Sequence, residues 1–229
     1  MQTITTTASP YRFAGRAAIG SGSIGILSFA VLIAAVTTRT TNALSFHDPV
    51  YIMFKAHDVG CILQFLLVIP VVFALYRLSW HQPPGTSKFT FRLGIGAASL
   101  TALLLILGIF LIVSDGLYTV PQGIFGVWMI IACGDVQQVI SKGLRWAGKV
   151  VGLGLIIAGM FIPLYAIFVS TIVLRIPALD PSDPANYPDH FTWINQHLHY
   201  LLEVGSMMGV LTLPFWTILI DRKLLQIKT

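Results

Sequence analysis

The sequence predicts an all-α integral membrane protein, a six-helix bundle with both termini cytoplasmic. Three observations predict it. Hydrophobic residues make up 55% of the 229 and charged residues only 10%, against about 25% charged in soluble globular domains. Six apolar runs are each long enough to cross about 30 Å of hydrocarbon. Lys and Arg concentrate in every second loop, on one side of those runs.

The runs are 17–36, 55–78, 92–113, 117–136, 147–174 and 198–220, and together they form a single membrane domain over 1–229. Apolar residues surround most of each run rather than marking one stripe, as expected where lipid is the solvent. No period-two alternation is present, which excludes the usual membrane β-barrel pattern. The first run competes with a cleaved signal peptide, since Arg12 and Arg16 precede it and small residues follow. Its apolar core exceeds the ~7–15 residues of a signal, which favours a retained helix.

Orientation follows from the basic residues. The N-terminal arm, the second loop (Arg77, Lys88, Arg92), the fourth loop (Lys142, Arg145, Lys149) and the tail hold eleven Lys and Arg. The other side holds three: Arg39, Lys55 and Arg175. The positive-inside rule then places both termini in the cytoplasm, in a cell membrane. The net charge of +5 is accounted for by these loops. The expected partner is the lipid bilayer, and no nucleic acid is expected. Cys61 and Cys133 lie in apolar runs and form no CxxC pair, so they define neither a disulfide framework nor a redox compartment.

The same division puts seven of nine acids and five of six histidines on the outer side. The turn 114–120 is tight, so the third and fourth helices should be antiparallel neighbours. The long connection 175–196 carries four prolines. It is the candidate lid, with Asp189 capping a short helix that runs into the last span. Gly148/Gly152 and Gly205/Gly209 are GxxxG pairs. They predict close packing inside the bundle or, as the second expectation, a homo-oligomer through glycine-rich helix faces. Pro70, Pro163 and Pro214 should kink their spans. An Ile-Pro in both the second and fifth spans is the only sign of an inverted repeat.

Polar residues inside the runs are the candidates for function, because ionisable groups in a membrane are costly and seldom idle. In the second run, His57, Cys61 and Gln64 share one helical face, with Asp58 about 100° round at the same end. In the last, Gln196, His199, Tyr200 and Glu203 share an arc of about 120°, and Glu203 lies roughly 8 Å below the mouth. If the two helices touch, His57, Asp58, His199 and Glu203 converge. Two imidazoles and two carboxylates are a first shell for a transition metal such as zinc, iron or manganese, or a proton relay. The ligand-pocket candidates are therefore His57, Asp58, Gln64, His199, Tyr200 and Glu203. Hydrogen bonding that serves only the fold is the competing reading. His197 and His199 point about 200° apart on a helix and cannot share a metal. HExxH, GxSxG and Walker motifs are absent.

The segments LYTVPQGIFGVW and SKGLRWAGKVVGLGLIIAG, over about 115–160, resemble small multi-pass bacterial membrane proteins of unknown function, with a looser echo in KAHDVGCILQ. The resemblance implies a helical membrane fold and no particular activity. Three functions follow from the residues: a binding or accessory protein with an outer polar pocket, a metal-dependent enzyme or redox protein, and a small-solute carrier.

Overall fold

The computed structural model describes residues 10–38, 48–80, 87–136, 140–177 and 193–226. Among them the chain is all-helical, without a strand. The helices are α1 (Pro10–Thr38), α2 (Pro49–Trp80), α3 (Lys88–Ile109), α4 (Thr119–Asp135), α5 (Lys142–Gly159), α6 (Phe161–Phe168), α7 (Trp193–Met208) and α8 (Leu213–Gln226), with a 3₁₀ turn at Thr171–Leu174. Five helical segments are long and apolar enough to cross a membrane: Pro10–Thr38, Pro49–Trp80, Lys88–Ile109, Lys142–Phe168 and Trp193–Gln226. The chain therefore has the build of a multi-pass membrane protein. The expected run 117–136 is the 17-residue α4, about 25 Å long at 1.5 Å per residue.

Local chemistry sets the ends. Asp48 begins α2 two turns before the apolar run: its Oδ1 accepts from Val50 N at 2.8 Å, and Pro49 takes the first helical position, where a missing N–H costs nothing. Ser87 caps α3 by accepting from Thr90 N. At the other end of α3, Leu111 adopts φ 57°. Its N–H donates to Gly108 O, and Ile112 N–H donates to Leu107 O. This is the paired bond pattern of a Schellman stop, built on a leucine rather than a glycine. The tight turn between α3 and α4 thus starts at Phe110, earlier than the apolar run ends.

The prolines act unequally. α2 continues through Pro70 as one helix. Pro163 has no N–H for the Gly159 carbonyl, and the helix breaks at Met160 between α5 and α6. Pro214 likewise cannot bond Val210. There Leu211 N–H reaches back to Ser206 O at 2.9 Å, an i→i+5 bond that widens the turn between α7 and α8.

The spans pack in chain order. α1 lies against α2 and α8, α2 against α3, α3 against α4, and α4 against α5. α5 meets both α7 and α8, which closes the ring. Phe65, Phe125, Trp128 and Trp216 fill the centre, each almost fully buried. The outward faces keep exposed Leu27, Leu63, Leu103 and Leu153, as a bilayer-facing surface requires.

The glycine pairs are used within this one chain. A methyl at Gly148 would strike Cys133 and Trp216, and one at Gly152 would lie 2.6 Å from Gly126 O. Gly205 seats on Ala158 and Gly209 on Leu155. The faces expected to serve a homo-oligomer are covered by neighbouring helices of the same chain. The capping and lid expectations for 178–192, Asp189 included, lie outside the described residues.

Candidate functional site

α2 carries polar residues on two faces: Lys55 and Asp58 turn toward Asp115 in the turn before α4, while a column of His57, Cys61 and Gln64 turns toward α1. Near the N-terminal end of α2, Lys55 Nζ sits between two carboxylates, 3.1 Å from Asp115 Oδ2 and 3.6 Å from Asp58 Oδ2. The Schellman turn delivers Asp115: Gly108, which it bonds, faces the Asp115 carboxylate, and a methyl there would lie 3.0 Å from Asp115 Oδ1. Lys55 and Asp115 are largely unlike in exposure, with side chains 15% and 56% exposed. The ammonium is therefore the anchored member and Asp115 the one open to approach. Tyr118, from the same turn, lies within electrostatic reach of Cys61, Asp58 and Asp115.

Two residues on from Lys55 and about 200° round the helix, His57 is buried and faces α1. Its Nδ1 lies 3.0 Å from Ser28 O. A carbonyl only accepts, so Nδ1 carries the hydrogen and donates. In the neutral ring Nε2 is then the acceptor, and Cys61 Sγ lies 3.5 Å from it, placing the thiol as donor. Both ring nitrogens are engaged. The imidazole is thereby held in one tautomer with no lone pair turned outward.

Below Cys61 the column reaches Gln64, 3% exposed. Ser21 Oγ of α1 donates to the Gln64 backbone carbonyl at 3.1 Å. The side-chain Nε2 is buried and has no hydrogen-bond partner. It lies at the junction of α1, α2 and α8, where a methyl on Gly25 would come within 2.8 Å of Gln64 Nε2 and 2.6 Å of Pro214 Cγ. Farther along α8, Thr217 Oγ1 donates to Pro214 O at 2.7 Å, and Asp221 Oδ1 is again buried without a partner.

The second set of candidates does not join the first. His199, Tyr200 and Glu203 are exposed on α7. α7 packs chiefly on α5 and α6, whereas α2 packs on α1 and α3. The expected convergence of His57, Asp58, His199 and Glu203 is corrected here: among the described residues no three His, Cys, Asp or Glu gather at metal-binding spacing. The physical reason is a competition between two faces of α7. Its buried residues are Leu198 and Gly205, and Glu203 lies about 200° round from Gly205. Close backbone packing of Gly205 on α5 turns the glutamate outward. The His199 ring lies 5.6 Å from that of Phe161, centroid to centroid, and Gln196 Nε2 donates to Tyr200 Oη at 3.4 Å.

Of the residues singled out from sequence, the structure buries His57 and Gln64 and pairs Asp58 with Lys55; the neighbours Lys55, Asp115, Ser28 and Ser21 were not read from sequence. Two signals were there to find Lys55 and Asp115: the i,i+3 spacing of Lys55 and Asp58, and a tight turn that must carry Asp115 to the ends of α3 and α4. The Lys55 cluster thus sets one ammonium against two carboxylates, and the His57 imidazole and the unpartnered Gln64 amide lie on the α1 side of the same helix. No protein-family model, no curated protein and no solved structure matches the chain, so the helical membrane build rests on its own sequence and packing.

Proposed function

We propose that this chain is a six-span protein of a bacterial plasma membrane, with both termini cytoplasmic. α4 supplies the sixth crossing, short but within the ~17–25 residues that suffice. Its role is a binding or accessory one, centred on the polar cluster at the outer end of α2. The observation that carries this reading is Lys55 Nζ set between Asp58 and Asp115. One ammonium against two carboxylates leaves a net negative charge at a membrane face. Such an arrangement suits a small ligand presenting a cation or a hydrogen-bond donor. The packing of α7 away from α2 favours this reading over a metal centre built from both helices.

Two experiments test it. Alkaline phosphatase fused after Asp180 should be active and after Thr229 inactive; the opposite pattern would overturn the topology. A thermal-shift series in detergent, using polyamines and small amines with divalent metal ions alongside, should find an amine that stabilises the protein. That stabilisation should vanish in Asp115→Asn. No response to any amine, from a protein that still responds to added lipid, would sink the cationic-ligand reading. A metal response that needs His199 and Glu203 would replace it with the metal centre.

A further inference from the structure

A groove of about 280 Å³ opens on the outside of the bundle between α1 and α2. Its walls are Pro10, Tyr11 and Phe13 of α1 and Ile69, Pro70, Phe73, Ala74 and Arg77 of α2, and almost all of its surface is apolar. The volume lies just under the ~300–1,000 Å³ of a drug-sized pocket, enough for part of a chain rather than a whole amphiphile. Arg77 is eight residues from Ile69, so the groove runs about 12 Å along α2 from a guanidinium into hydrocarbon.

Arg77 is exposed, and the ring of Phe73 lies 5.7 Å beneath it. Among the described residues it makes no ion pair. Phe73 is itself held edge-on by Phe91 of α3 at 5.0 Å. The guanidinium thus rests on a fixed aromatic platform, with its planar donors free. It also stands at the end of the bundle that carries the basic loops.

We propose that this groove binds one anionic phospholipid, its phosphate on Arg77 and one acyl chain lying along Phe73 and Ala74 to Ile69. Charge selects the occupant: a guanidinium offers paired donors that match phosphate oxygens, and an anionic headgroup adds attraction that a zwitterion cancels. The apolar length below Arg77 suits a chain and not a soluble phosphate. The inference rests on the membrane reading above, which carbonate extraction of membranes tests separately.

The test is native mass spectrometry of the full chain in detergent with added phosphatidylglycerol or phosphatidylcholine of matched chains. Retention should favour phosphatidylglycerol by about fivefold, the effect of one basic residue near a charged surface. Arg77→Gln should abolish the preference and Arg77→Lys should keep most of it. Arg16→Gln, which removes the same charge from α1 outside the groove, should leave it intact. Ile69→Trp should reduce retention of both lipids by filling the groove. Equal retention of the two lipids by the unaltered chain would overturn the proposal. So would equal loss of preference in Arg16→Gln and Arg77→Gln, which would make the effect one of diffuse charge.

Discussion

Ser28 of α1 closes over Gly60 of α2: a methyl at Gly60 would collide with Ser28 Oγ and lie 2.9 Å from its Cβ. The same Ser28 offers its carbonyl to His57, one turn away on α2. Close approach at Gly60 is therefore what brings a backbone acceptor to the imidazole. Gly60→Ala should lower stability by about 1–3 kcal/mol through overpacking. Adding Ser28→Gly should recover part of this, since only Ser28 Cα, at 3.7 Å, would remain. Thermal unfolding in detergent of the two single variants and the double reads this. Independent losses that simply add would show that the helices do not touch there.

The charged cluster makes an asymmetric prediction. Asp115 is more than half exposed, so Asp115→Asn should cost about 0.2–1 kcal/mol, as for a surface pair. Lys55→Met removes the one cation beside two carboxylates and leaves the largely buried Asp58 uncompensated. It should cost more, about 3 kcal/mol or above by analogy with a broken buried pair. Denaturation of both variants under one condition decides it, and a Lys55 variant no worse than the Asp115 variant would contradict the geometry.

Gln64 should matter little to stability or to the amine response. Its Nε2 has no partner to lose, and Ser21 bonds the backbone carbonyl rather than the side chain. Gln64→Met, similar in volume, should be neutral or mildly stabilising, since it removes an unsatisfied buried donor. The amine response of the thermal-shift series should persist in this variant, because Gln64 lies nine residues along α2 and about 180° round from Lys55. A large loss of stability would reveal a hydrogen bond absent from this arrangement.

His57 and Glu203 should act independently. They lie on helices that pack against different neighbours, and sites without shared partners add within about 0.3–0.5 kcal/mol. A double-mutant cycle of His57→Ala and Glu203→Ala, followed by unfolding, should close to that tolerance. Coupling well above it would bring α2 and α7 together after all.

Gly96 and Gly126 provide a paired test of packing. A methyl at Gly96 meets nothing within 4 Å, whereas one at Gly126 strikes the Gly152 carbonyl. Gly96→Ala should raise stability by about 0.4–1 kcal/mol by restricting the unfolded chain. Gly126→Ala should lower it by forcing α4 from α5. Melting points shifting in opposite directions would support the α4–α5 seam.

The sequence by itself determined the material and the spacing. Long apolar runs can only be helices where no water satisfies the backbone, so the all-helical build and the position of each apolar run were readable, and five emerge as segments able to cross a membrane. The polar face of His57, Cys61 and Gln64 was readable too, because helical periodicity needs only the spacing. The partners of that face were decided by tertiary structure alone. Which helices adjoin depends on where backbones can approach most closely. Here Gly22, Gly25 and Ser28 bind α1 to α2 and α8, while Gly205 and Gly209 bind α7 to α5. Those contacts set α1 beside His57 and turn Glu203 outward. A glutamate's hydrogen-bonding need is local and can be met at a helix mouth, but a glycine face offers many contacts only in one orientation. The packing face prevailed, and Asp58 was left to pair with Lys55, beside Asp115, rather than with groups on α7.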